Sequence, residues 1–311
     1  MRVIYMGTPD FSVPALESLI KNGHDVCLVV TQPDKEKGRG RELAISPVKE
    51  CALKHNLPVF QPIKIREAES VEYLKSFNAD IFVVAAFGQI LTEEILNMPK
   101  YGCINIHASL LPKYRGAAPI QWAILDGEEY SGVTIMQMAK GVDTGDILTT
   151  SRVKIEDDET GDSLFEKLMY VGADLLTKTL PQIEAGVISP IKQDETLATH
   201  TSKISKDMGL INWNESSELI ERYVRGLNSW PSAYTKLDGK TLKIWKAKVT
   251  QASENAAAPG TVISLSKDAF EVKTKNSALR IDEIQLEGKK RMTTHDFLLG
   301  YKLEVGTVLG E

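Results

Sequence analysis

Residues 1–31 read MRVIYMGTPDFSVPALESLIKNGHDVCLVVT. A short apolar, β-rich run over 3–6 stops at Gly7, a helical pattern follows over 13–22, and a second apolar run covers 25–31. The same order recurs downstream. Strand candidates at 59–60, 81–85 and 104–107 alternate with helical segments at 47–55, 67–77 and 92–97, the first of these announced by Ser46 and Pro47 as N-cap and first-turn proline. This alternation is the signature of a parallel sheet wrapped by helices, so the N-terminal part is expected to be α/β and Rossmann-like. Gly7-Thr8-Pro9-Asp10-Phe11 stands where a dinucleotide-binding fold would carry G-x-G-x-x-G, and it lacks that fingerprint. A dehydrogenase is therefore not indicated, and Gly7 is expected to serve a tight strand-to-helix turn.

Further along, 133–138 and 147–153 can add strands at one side of the sheet. A long amphipathic helix is expected over 162–185, with Leu164, Leu168, Val171 and Leu175 on one stripe and Gly186 placed to end it. Residues 189–206 are polar and without periodicity and read as a linker. Beyond them come a helix at 216–227, short alternating runs at 232–237, 241–249, 260–265, 269–274 and 278–286, and a closing helix at 292–299. Short strands separated by turns such as Asp238-Gly239 suggest a small, OB-like β-barrel. The expected organisation is thus a catalytic domain over 1–188, a linker over 189–206 and a barrel domain over 207–311.

With 42% apolar and 25% charged residues, the 311-residue chain has the composition of an ordinary globular protein. No run is long enough for a membrane span or signal peptide, and a cytoplasmic location is expected. Cys27, Cys51 and Cys103 stand far apart, so neither a disulfide framework nor a zinc site is indicated, and they read as small buried hydrophobes. A net charge of −5 argues against bulk coating of nucleic acid. The charge is uneven, however: from Lys206 onward there are 16 basic and 14 acidic residues, against 21 and 28 before it.

The densest cluster of unusual residues lies where the fifth strand should end. Asn105 and His107 are two apart, so on a strand they share a face, and in open parallel sheets ligands bind beyond the carboxyl ends of the strands. By itself an Asn-x-His pair is as well explained by a strand-end histidine and a loop cap. Its company changes the reading, because Gly141-Val142-Asp143-Thr144-Gly145-Asp146 places carboxylates in a glycine-flanked turn that could bring Asp143 over the same edge.

Gly7 to Phe11, the stretch Asn105 to Pro112 continued by Arg115-Gly116-Ala117-Ala118-Pro119-Ile120-Gln121, and the Asp143-Thr144-Gly145-Asp146 turn resemble the methionyl-tRNA formyltransferase family over nearly the whole chain. The resemblance implies transfer of the formyl group of 10-formyltetrahydrofolate to the free amino group of the methionyl moiety of initiator Met-tRNA, for translation initiation. It assigns Asn105, His107 and Asp143 as the catalytic trio. It places Ser109, Leu110, Leu111 and Pro112, with Phe87, Gly88, Gln89, Ile90 and Leu91, at the folate site. The residue types suit the chemistry: an amine attacking a formyl carbon develops an oxyanion that wants hydrogen-bond donors, which the Asn105 amide and a protonated His107 supply. His107 can also act as general acid towards the leaving folate nitrogen, while Asp143 holds its ring. No metal and no obligate protein partner is required.

The loop from Lys35 to Arg41 carries four basic side chains and two glycines. By the resemblance, Arg39 meets the acceptor end of tRNA, with Arg41 beside it, and the barrel is the tRNA-binding domain. Lys240, Lys243, Lys246 and Lys248, with Trp245 interleaved, and Lys289-Lys290-Arg291 would give the barrel a basic face. Two other readings stand against this one. A small-molecule formyltransferase would not need the arginine loop together with such a barrel, and a non-catalytic RNA-binding protein leaves the trio unexplained.

Overall fold

The computed structural model describes residues 1–37, 42–251 and 256–310. Contacts divide it into two compact units, one of Met1–Pro119, Tyr130–Lys154 and Phe165–Thr201, the other of Ile120–Glu129, Ile155–Leu164 and Ser202–Glu311.

The first unit is built on seven strands: β1 (Arg2–Gly7), β2 (Asp25–Val30), β3 (Val59–Phe60), β4 (Ile81–Ala85), β5 (Cys103–His107), β6 (Tyr130–Gln137) and β7 (Ile147–Lys154). Their spatial order is β7-β6-β5-β4-β1-β2-β3. The first five strands are mutually parallel, and β6 and β7 add antiparallel at one side. Helices α1 (Val13–Lys21), α2 (Pro47–Lys54), α3 (Ala68–Ser76) and α4 (Glu93–Leu96) fill the connections, with Ser46 capping α2 through Lys49 N at 3.1 Å as its sequence indicates. The chain leaves β1 towards β2 and β3, then returns to the other side of β1 as β4. That reversal sets the topological switch point between β1 and β4, where Gly7 registers with Ala85. A Cβ on Gly7 would fall 2.7 Å from Ser12 Cβ and 3.1 Å from Ala85 O, so the turn after β1 needs glycine for close approach rather than for a positive φ.

Two helices follow in the middle of the chain, the short α5 (Pro119–Leu125) and the long α6 (Gly161–Glu184). Leu164, Leu168 and Leu175 of the expected stripe are buried. Gly172 lets α6 lie close on the sheet, since a Cβ there would come 2.9 Å from Ile106 Cγ2 of β5. Ile106 therefore faces α6, and the odd-numbered residues of β5 face the opposite side. The three cysteines are free and buried.

In the second unit α7 (Ser217–Gly226) packs with an antiparallel sheet of β8 (Ala233–Leu237), β9 (Lys240–Thr250), β10 (Val262–Leu265), β11 (Phe270–Lys273) and β12 (Ala278–Leu286) in the order β8-β9-β12-β11-β10. Ile220 and Val224 of α7 join Leu242, Ile244, Phe270, Leu279 and Ile281 in one apolar core. The ends of this sheet are tied off by single bridges, Leu210 to Tyr234 and Thr261 to Val308. Two register shifts around Lys246 bend β9 and leave both Lys246 and Lys248 exposed. The closing helix expected at 292–299 is shorter: Met292–Thr293 pairs with β12, and the Thr293 hydroxyl caps α8 (Thr294–Gly300) through Asp296 N at 3.1 Å.

Two further features differ from the sequence reading. Residues 120–129 and 155–164 join the second unit, through hydrogen bonds such as Arg222 Nη1 to Asp126 O at 2.9 Å and Arg225 Nη1 to Glu159 O at 2.8 Å. The stretch 189–206 is no featureless connector, because His200–Thr201 pairs in parallel with Arg115–Gly116 and Gln193 is buried. Gln193 is spent wholly on the protein, although most of its polar neighbours remain exposed.

Candidate active site

The row of odd-numbered residues on β5 begins under α4, where Cys103 is fully buried with Sγ near Ile95 O. Two residues on, the row leaves that cover as Asn105 and His107, at the carboxyl edge beside the switch point. Among the described residues the Asn105 amide makes no hydrogen bond. This sets it apart from the amides of Gln32, Gln61, Gln89, Gln137 and Gln193, which all bond to the protein.

His107 is buried. Its Nε2 lies 2.9 Å from the Tyr114 carbonyl, which can only accept, so Nε2 carries a proton. Nδ1 faces Asp143 Oδ2 at 3.6 Å, longer than a hydrogen bond. Asp143 Oδ2 is itself anchored by the Gly116 N–H at 2.8 Å. The residues that shape this corner hold unusual backbone: φ is +60° at Tyr114, +56° at Ala118 and +54° at Asp143, in the left-handed region that L side chains enter at a cost.

The turn that presents Asp143 depends on Gly145. A Cβ there would fall 1.6 Å from Gln137 O, and Gln137 N in turn donates to Asp146 O at 2.8 Å. Gly145→Ala is therefore expected to lower stability by about 3 kcal/mol and to cut turnover at least tenfold, as the backbone clash forces the turn away from β6. Chemical denaturation beside steady-state rates checks it, and a variant of unchanged midpoint would refute the clash.

The stretch expected at the folate site divides. Ser109 Oγ donates to Lys113 O at 2.7 Å, and Thr134 Oγ1 both donates to Ser109 O at 2.7 Å and accepts from Leu111 N at 3.1 Å. The Leu111–Pro112 bond is cis. Leu110 lies over Gly132 of β6. On the other loop, Phe87 and Leu91 belong to the apolar core, and the Phe87 carbonyl accepts from Thr8 Oγ1 at 3.0 Å and Gln32 Nε2 at 3.2 Å. Gln89 is spent on Ile65 N at 2.7 Å and Pro62 O at 3.0 Å, which leaves Gly88 and the exposed Ile90 facing outward. Both loops stand at the same sheet edge as His107. Arg39 and Arg41 lie outside the described residues.

Three residues of this neighbourhood carried no role in the sequence reading. Arg115, although part of the quoted motif, is 1% exposed and is one of the largest fully buried side chains of the chain. It forms a two-pronged pair with Glu195 at 2.8 and 2.9 Å and also donates to Gln193 Oε1. The Arg115 guanidinium holds the Glu195 carboxyl below its ordinary range. A depressed carboxylate contributes stability that is present above its unfolded pKa and lost as the pH falls through its folded value. The gap in melting temperature between the native chain and Glu195→Gln should accordingly be present at neutral pH and close below about pH 4. A gap that persists in acid would show that the charge is not what Glu195 contributes. Gln193 and Glu195 lie about 80 residues from Arg115, a separation at which no local sequence pattern pairs them.

As for metals, among the described residues the one group of three suitable donors is Glu17, Cys51 and His55, with ligand atoms within 4.8 Å of one another. It belongs to α1 and the end of α2 and shares no residue with the trio.

Two family models match the chain, one described as formyl transferase over residues 1–180 and one as formyl transferase, C-terminal domain, over 203–302. Fold and site together define a formyl transferase with a second domain. The chain is 57% identical to a methionyl-tRNA formyltransferase of Agathobacter rectalis over 99% of both chains, and 52% identical to one of Lachnospira eligens over the full length of both. The chain belongs to the methionyl-tRNA formyltransferase family. Its fold is similar to a solved methionyl-tRNA formyltransferase from Clostridium thermocellum, with TM-score 0.56 and 18% identity over 80% of this chain and 94% of that one. It is also similar to an N-formyltransferase from Helicobacter canadensis solved with folinic acid and dTDP-3-aminofucose, with TM-score 0.68 and 20% identity over 93% and 99%.

Proposed function

We propose that this chain transfers the formyl group of 10-formyltetrahydrofolate to the free amino group of methionine esterified to initiator tRNA, in the cytoplasm. The observation that carries this reading is a similarity to methionyl-tRNA formyltransferases that runs at 57% identity through both units. Among the described residues no helix is long and apolar enough to cross a membrane.

In the proposed mechanism the acceptor nitrogen attacks the formyl carbon, forming the new C–N bond. The oxyanion that develops meets the unspent Asn105 amide and a protonated His107, donors that stabilise charge in the transition state more than in the ground state. Because Nε2 is committed to Tyr114 O, Nδ1 is the atom that faces the reaction, with the Asp143 carboxylate beside it. Collapse breaks the bond from carbon to the folate nitrogen, which takes a proton while the acceptor amine gives one up. Gly88 and Ile90 of the 87–91 loop, with the 109–112 turn, border the donor's place. The domain over 207–311, following the stretch 189–206, binds tRNA. Its Trp245 lies under Lys243 and Arg291 at 5.5 and 4.9 Å, which offers an aromatic face among basic groups.

The reading is tested by supplying labelled 10-formyltetrahydrofolate with Met-charged initiator tRNA, with free methionine and with a nucleotide-linked amino sugar. Transfer to the charged tRNA alone is expected, and transfer to the sugar would replace this reading with the small-molecule one. Arg39→Ala, and Arg41→Ala to a lesser degree, should weaken transfer to tRNA while leaving donor binding unchanged, since a guanidinium offers a planar fork of donors to phosphate. Equal tRNA kinetics in these variants would remove the arginine loop from the acceptor site.

A further inference from the structure

Gln193 sits with four hydrogen-bond partners whose polarity leaves its amide one orientation. Its Oε1 accepts from Arg115 Nε at 3.0 Å and Nη2 at 2.8 Å, and its Nε2 donates to Asp143 O at 2.8 Å and Gly145 O at 2.7 Å. Guanidinium nitrogens only donate and carbonyls only accept. No other side chain of similar size carries both functions at this spacing; Glu lacks the donors and Met lacks both. Arg115 is in turn held by Glu195 and by its own backbone, with Arg115 N donating to Thr199 O at 2.9 Å and Thr201 Oγ1 donating to Arg115 O at 3.1 Å. The result is a clamp running from residues 193–201 through the buried Gln193 and Arg115 to the two carbonyls of the Asp143 turn.

We propose that Gln193 is a positioning residue, which with Arg115 locks the backbone of Asp143 and Gly145 so that the Asp143 carboxylate stays on the Gly116 N–H and beside His107. The inference rests on the catalytic reading of Asp143 given above. It follows from energetics as well as distance. Asp143 holds φ at +54°, a conformation that persists only where the surroundings over-determine it. The carboxylate reaches His107 at 3.6 Å with a single backbone N–H as its own anchor, so a small rotation of the turn would carry it out of range. Gln193 touches neither the ring nor the carboxylate, and its effect must pass through the turn.

The test uses the full chain with Gln193→Glu, which keeps the Arg115 contact and loses both donors, and Gln193→Met as a second variant should the first not fold. Expected are a lowered but still cooperative melting transition, since two carbonyls lose their donors, a kcat lowered about 10- to 100-fold with KM for the formyl donor unchanged, and faster hydrogen exchange at the Gly116 amide. In an Asp143→Asn background the same change should cost almost nothing further in kcat, since both act on one group. The proposal is overturned if Gln193→Glu lowers kcat by the same factor with and without Asp143, or if Gly116 exchange is unaltered in a folded variant. Loss of Gly116 protection while Asp143→Asn retains full turnover would instead keep the clamp and discard the catalytic role of Asp143.

Discussion

Replacement of His107 by Ala is expected to leave a folded chain that still binds the formyl donor and to lower kcat by about 10²- to 10³-fold, the size of effect seen when a preorganised oxyanion donor is lost. The side chain is buried at the end of β5, and its hydrogen bond is to the Tyr114 carbonyl. Asn105→Ala should fall in the same range, because its amide is unspent on the protein and the change removes a donor without orphaning a partner. The double variant is expected to lose little more than either single one, as groups that serve one transition state act as a unit. Single-turnover rates with saturating donor and charged tRNA, beside donor binding by fluorescence, decide the matter. Near-native turnover in either single variant would take that residue out of the mechanism.

Asp143→Asn should lower kcat by about 10²-fold while leaving the fold intact, since the amide occupies the same volume and can still accept from Gly116 N. What it cannot supply is a negative charge 3.6 Å from His107 Nδ1. Beside Nδ1 the variant then offers only a neutral amide oxygen, while Tyr114 O still accepts from Nε2. A ¹⁵N spectrum of the ring nitrogens separates loss of the charge from displacement of the ring: the Nδ1 resonance should move in the variant while that of Nε2, held by Tyr114 O, stays in place. Identical ring spectra with lowered turnover would mean that Asp143 acts on the substrate and not on the histidine.

Much of this architecture was legible along the chain. The strands at 59–60, 81–85 and 278–286 have the bounds expected of them, and most other elements fall within a residue or two, because each is announced by local periodicity and by its cap or turn residue. The pairing of Asn105 with His107 on one face follows from the two-residue period of a strand. Their function did not follow from that period, and only the company of the glycine-flanked Asp143 turn and the family resemblance pointed to chemistry.

What sequence by itself determined is the α/β class of the first half, the antiparallel class of the second, the candidate trio and the family, since these rest on patterns within about 20 residues or on motifs read in register. Tertiary structure decided the rest. It set the β7-β6-β5-β4-β1-β2-β3 order that puts β5 beside the switch point. It assigned residues 120–129 and 155–164 to the second unit, turned the polar stretch after 189 into a strut against Arg115, and committed Nε2 of His107 to the Tyr114 carbonyl. Apart from the His107–Tyr114 bond, these rest on hydrogen bonds between groups 27 to 96 residues apart. A buried guanidinium or amide must find partners wherever the fold brings them, and no local period of the chain records which ones they will be.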